Sequence, residues 1–161
     1  MLLLSPPDSL TGDSKLAGVD YKIAGGLSWY GPCSFQDMAL FNHDDRPNFK
    51  DRFEKRIVGE EKVTPEEKQR LYREISPIHY LKKDSPPLLM IQGDKDTTIP
   101  VKHAYHIQKK AREMGAPVET VIVRNSGHNW RQVDAPIEPS RGEILRLSIG
   151  FFLRHAAFSS L

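Results

Sequence analysis

The chain has 161 residues, 23 of them basic and 21 acidic, for a formal net charge of +2. That length supports one domain around one core, and the charges are interspersed rather than gathered into the one-sided basic stripe that a nucleic-acid partner requires. The single cysteine, Cys33, excludes an intrachain disulfide and a cysteine-based metal cluster.

Met1 to Leu4 is too short an apolar stretch for a membrane span or a signal peptide. The chain is therefore expected to be soluble, untargeted and cytoplasmic, with no membrane partner. Where Met1-Leu2-Leu3-Leu4 runs into Ser5-Pro6-Pro7 it reads as the last turn of an apolar helix broken by prolines, and so predicts that sequence is missing before it.

Next in order is an apolar and aromatic run, Lys22 to Tyr30, which predicts a strand. From Phe35 to Ser76 the composition turns charged and aromatic, with one helix start at Thr64-Pro65-Glu66-Glu67, where threonine caps and proline takes the first helical position. The segment 35–76 reads as an insertion, either a lid over the strand ends or an ordinary crossover connection. Two further runs, Pro87 to Gln92 and Val118 to Arg124, predict strands on either side of a helical pattern from Val101 to Met114 that Gly115 closes. Strand, helix, strand on this scale is a βαβ unit, which implies parallel strands in a sheet covered on both faces. A last helix is expected from about Ser140 to Ala156, with Ile144, Leu145, Leu147, Ile149, Phe151, Phe152 and Leu153 as a broad apolar face. The fold class is α/β.

Two loops at strand ends carry the candidate chemistry. Gly93-Asp94-Lys95-Asp96 follows the second apolar run, and a carboxylate there lies where open α/β sheets gather functional loops. Asp96 is the candidate acid, although spacing alone does not choose between Asp94 and Asp96. Gly127-His128 follows the third run. An imidazole there, with Nδ1 held by Asp96, would leave Nε2 free to act as a general base.

The segments Ser76-Pro77-Ile78-His79-Tyr80-Leu81, Ser85 to Asp96 and Gly127-His128 resemble the acid and histidine motifs of the α/β-hydrolase superfamily. The nearest branch is that of the small carboxylesterases and acetyl or feruloyl esterases, with relatives among prolyl oligopeptidase-type peptidases. Gly26 to Pro32, ending in Tyr-Gly-Pro, is similar to the family strand before the lid. The resemblance runs from about Ala17 to Phe152. It implies the C-terminal half of an α/β-hydrolase fold, making 1–161 a partial domain in which Asp96 and His128 are the acid and histidine of a catalytic triad.

The departure is the nucleophile. Such enzymes hold a serine in a Gly-x-Ser-x-Gly elbow, and this sequence contains no such motif. Family order would place it just before Met1. Ser28, Ser126 and Cys33 are the candidate substitutes, and none follows the elbow pattern.

The expected function is thus the acid-and-histidine portion of a serine carboxylester hydrolase, inactive alone, with no cofactor and a small carboxylic ester as substrate. Trp29, Tyr30 and Trp130 either line its pocket or pack in the core. A different class of function is a non-catalytic half-domain that associates through its sheet edge, as a homodimer or with a partner chain completing the sheet. His103 and His106 could share a helix face as metal ligands, but no third ligand is suggested, so no metal site is expected.

Overall fold

In the computed structural model the described residues are 23–42, 51, 53–59 and 63–157. Met1 to Pro7, with its expected helix end, lies outside them. Among the described residues the chain forms a parallel sheet in the order β1 (Gly26–Trp29), β2 (Leu88–Gly93) and β3 (Val118–Val123). Gly26 is in register with Leu88, and Leu88 with Val118. Among the described residues four α-helices accompany it: α1 (Glu54–Ile57), α2 (Pro65–Glu74), α3 (Lys102–Met114) and α4 (Arg141–Ala157).

The middle strand explains the layering. All six residues of β2 are buried, and successive side chains point to opposite sheet faces. Leu88 and Met90 pack with Ala104, Ile107 and Ala111 of α3. Leu89 and Ile91 pack on the other face with Ile144 and Phe151 of α4. The βαβ expectation therefore holds, and α3 ends at Gly115, whose φ of 66° is the left-handed conformation glycine adopts freely. Thr64 caps α2 by accepting from the Glu67 N–H at 3.2 Å, with Pro65 at the first position.

Two expectations need correction. The first strand is shorter than the expected run from Lys22 to Tyr30: it spans Gly26–Trp29, with Ile23, Ala24 and Gly25 outside it and Tyr30 leaving it with φ 47°, while Lys22 lies outside the described residues. The apolar face of α4 is also only partly used. Ile144 and Phe151 are buried, whereas Leu145, Leu147, Ile149, Phe152 and Leu153 are exposed. Seven apolar residues spread around most of a helix circumference, and one sheet face can cover only one stripe of it.

In the segment 35–76, the rings of Phe35, Phe41 and Phe53 meet with centroids 5.3 to 6.1 Å apart. Phe41 also reaches His103 on α3 at 4.4 Å. Tyr72 is buried, and its hydroxyl donates to Asp51, which also pairs with Lys68. The aromatic character of the segment thus fastens it to the first turn of α3.

Candidate active site

The loops that leave β2 and β3 come together at the C-terminal end of the sheet. Lys95 N–H donates to the Ser126 carbonyl at 2.9 Å, and Ser126 N–H donates to Asp94 Oδ1 at 3.2 Å. Gly93 makes that approach possible: a Cβ there would lie 2.2 Å from the Ser126 carbonyl oxygen, inside any real contact distance. Between the two carboxylates the geometry distinguishes clearly. Asp94 binds the backbone of the neighbouring loop, whereas Asp96 Oδ2 lies 2.8 Å from His128 Nδ1.

Asp96 is held from several directions. Its Oδ1 accepts the Thr98 and Ile99 N–H groups at 2.7 and 2.9 Å. Its Oδ2 accepts Gln92 Nε2 at 2.9 Å in addition to its contact with His128. The Asp96 side chain is 0% exposed, and that of His128 is 30% exposed. A buried carboxylate with four hydrogen-bond partners, one of them the partly exposed imidazole, fixes the ring and puts the proton on Nδ1, which leaves Nε2 as the nitrogen able to accept a proton. Gln92 was not singled out from the sequence. A signal was present, because Leu88, Met90 and Gln92 alternate on one sheet face, and a polar group at the end of a buried apolar row demands a partner.

The three aromatic candidates separate. The Tyr30 ring lies 4.8 Å from that of His128, so Tyr30 borders the histidine directly. Trp130 is 7% exposed and belongs to the α4-side core with Leu89, Ile91 and Val123. Trp29 donates through Nε1 to Ser148 on α4 at 3.1 Å and packs edge-on to Trp130. Tyr30 and Trp130 have φ of 47° and 56°, a left-handed conformation that bulky residues rarely adopt. Their rings brace each other at 4.8 Å, so the strain sits beside His128.

Neither Ser126 nor Cys33 stands in for a nucleophile. Ser126 is buried and its hydroxyl donates to the Gly127 carbonyl at 3.1 Å. Cys33 is paired with a different histidine: His103 Nδ1 accepts the Cys33 N–H at 3.3 Å and lies 3.6 Å from Sγ. Burial pushes the Cys33 thiol up to about 12 and His103 down to about 3, the latter helped by the nearby His106. This is a neutral thiol beside a neutral imidazole. His103 Nε2 is buried without a hydrogen-bond partner among the described residues. Among the described residues no group of three His, Cys, Asp or Glu side chains could hold a metal ion. A cavity of about 270 Å³ lies on the α3 side of β1, lined by Ser28, Cys33, Met90 and Ile107 among others, and Asp96 and His128 do not border it.

Residues 10–111 match the BD-FAE family model. The chain belongs to the BD-FAE family. That stretch includes Asp96 and ends before His128. The uncharacterized peptidase YtmA of Bacillus subtilis is 31% identical over 94 residues, covering 58% of this chain and 34% of that protein. Esterase LipC of Mycobacterium tuberculosis is 25% identical over 118 residues, covering 73% of this chain and 28% of that protein. Among solved structures, a truncated form of a carbohydrate esterase from gut microbiota superimposes with a TM-score of 0.62 at 24% identity, covering 84% of this chain and 44% of that one. An esterase of Thermogutta terrifontis superimposes with a TM-score of 0.60 at 15% identity, covering 90% and 47%. The BD-FAE chain thus has an α/β-hydrolase fold of the esterase type and spans about a third of the length of the curated relatives it matches. Among the described residues no helix is long and apolar enough to cross a membrane.

Proposed function

We propose that this chain supplies the acid and the histidine of a serine carboxylester hydrolase and is inactive until a serine-bearing segment of the fold joins it. The observation that carries the reading is the 2.8 Å contact between Asp96 Oδ2 and His128 Nδ1, on loops at adjacent strand tips. In the assembled site His128 Nε2 takes the serine proton as the oxygen attacks the ester carbonyl. It then returns that proton to the leaving alcohol, and water hydrolyses the acyl-enzyme by the same route. Asp96 holds the ring and stabilises the imidazolium. Tyr30 borders the ring and is the aromatic best placed to meet substrate. The part of segment 35–76 that Phe41 fastens to His103 on α3 is read as a cover beside the strand tips.

The exposed apolar surface supports docking of the serine-bearing segment. Among the described residues β1 pairs only with β2, α4 leaves Leu145, Ile149 and Phe152 exposed above the sheet, and the 270 Å³ cavity opens below β1. An edge with apolar surface above and below it fits a strand flanked by helices on both sides. The chain also covers only 44% of the gut esterase structure it superimposes on.

The test is hydrolysis of p-nitrophenyl acetate by the purified chain, with and without a fluorophosphonate. The expected result is no inhibitor-sensitive turnover and no covalent label. Labelling of this chain together with inhibitor-sensitive turnover by it alone would overturn the proposal.

A further inference from the structure

The geometry points to Gln92 as the positioning residue that aims Asp96 at His128, an inference that rests on the proposed pairing of those two residues. Gln92 is fully buried near the end of β2. Its Nε2 donates to Asp96 Oδ2 at 2.9 Å and to the Ile99 carbonyl at 2.7 Å. Both amide hydrogens are therefore spent inside one turn, on the carboxylate and on the backbone three residues beyond it.

The oxygen that Gln92 holds is the one facing His128. Thr98 and Ile99 N–H groups fix the other oxygen. Without Gln92, Oδ2 would keep the imidazole as its one hydrogen-bond partner among the described residues, and the Ile99 carbonyl would lose its side-chain donor. The carboxylate could then turn away from the ring.

An unsatisfied atom shows why filling space is not the role of this side chain. Gln92 Oε1 is buried with no hydrogen-bond partner, and an orphaned buried acceptor carries a free-energy cost. An apolar side chain such as Leu88 or Met90, which share its sheet face, would fill the position without that cost. What glutamine adds there is two donors, and both are used on the Asp96 turn.

The experiment uses the full chain, labelled with nitrogen-15, and needs no turnover. In the native chain the Gln92 side-chain amide hydrogens should exchange with solvent as slowly as core backbone amides, and the neutral His128 ring should carry its proton on Nδ1. Gln92→Met and Gln92→Leu remove both donors while keeping apolar volume. In the folded variants the ring should lose that preference and shift to a mixture dominated by the Nε2–H tautomer, as in free imidazole. A side chain that only fills space would lower the thermal midpoint and leave the tautomer unchanged.

A folded variant that keeps the native tautomer ratio would overturn the inference. Should neither variant fold, the native chain decides: amide hydrogens that exchange like those of an exposed glutamine overturn it equally. Labelling of the chain together with inhibitor-sensitive turnover by it alone would instead overturn the proposal that it is inactive by itself, and would leave this result standing.

Discussion

Two imidazoles in this chain differ in what surrounds them, and that difference decides what each can do. His128 keeps one edge open and hydrogen bonds to a carboxylate through the other. His103 is enclosed beside Cys33 and Phe41, and burial holds it down to about 3. As the pH falls through the ordinary histidine range, the unfolded chain takes up a proton at residue 103 that the folded chain refuses. The unfolded state then binds more protons, so stability declines with falling pH from about 6.5 toward 3, by at most about 1.4 kcal/mol per pH unit from this group. Urea unfolding at neutral and mildly acid pH checks this: the midpoint should fall on acidification, and His103→Gln should flatten the fall. An unchanged pH dependence in that variant would show that His103 is not the group responsible. The meeting of the β2 and β3 tips was legible in the sequence because Gly93 and Gly127 each mark a turn after an apolar strand, whereas the choice of Asp96 over Asp94 came from the family resemblance. The surroundings of His103 were not legible, because its neighbours Cys33 and Phe41 are 70 and 62 positions away, and one chain carries no sign of such a meeting.

At the scale of elements, the strand tips are bound together by a single missing side chain. Gly93 closes β2 where the Ser126 carbonyl would stand 2.2 Å from any added Cβ. The obstacle is backbone, so the loops must separate to admit even a methyl group. Gly93→Ala should cost about 1 to 3 kcal/mol, as overpacking does, and should move Asp96 and His128 out of hydrogen-bonding reach. Gly150→Ala is the matching control. Its Cβ would meet only the Arg154 guanidinium at 3.8 Å, in the middle of α4, where alanine gains about 0.5 to 1 kcal/mol over glycine. Urea unfolding of both variants checks the opposite signs, and the His128 tautomer checks the loop geometry. The βαβ unit and both long helices were readable from periodicity, because burial on both faces of β2 leaves an unbroken apolar run. The first strand was overextended because apolar character continues into Tyr30, while its backbone turns to φ 47° there. The face of α4 was overstated because composition counts apolar residues without saying which ones the sheet can reach.

For the whole molecule, the surface left exposed is as informative as the core. Ile144, Ser148 and Phe151 mark the stripe of α4 that faces the sheet. Arg154 pairs with Glu119 of β3, which fixes the β3 flank of the helix. At 100° per residue, Leu145, Ile149 and Phe152 fall on the opposite flank, above β1. That flank, the β1 edge and the cavity beneath it form one apolar belt around the side of the sheet where the proposed serine-bearing segment docks. Replacing exposed residues there should leave folding nearly unchanged, since they contact little within the chain, while association requires them. Mixing this chain with a segment that carries the Gly-x-Ser-x-Gly elbow of the fold gives a direct measurement. Binding, read by sedimentation velocity, should occur with the native chain and be lost in Leu145→Lys/Ile149→Lys, with urea midpoints for the two chains within about 0.5 kcal/mol of each other. If the native chain instead forms a stable homodimer that the same substitutions dissolve, the belt is self-complementary and the docking proposal fails. If the substituted chain binds as well as the native one, association runs through another surface, and the assignment of the α4 flank fails with it.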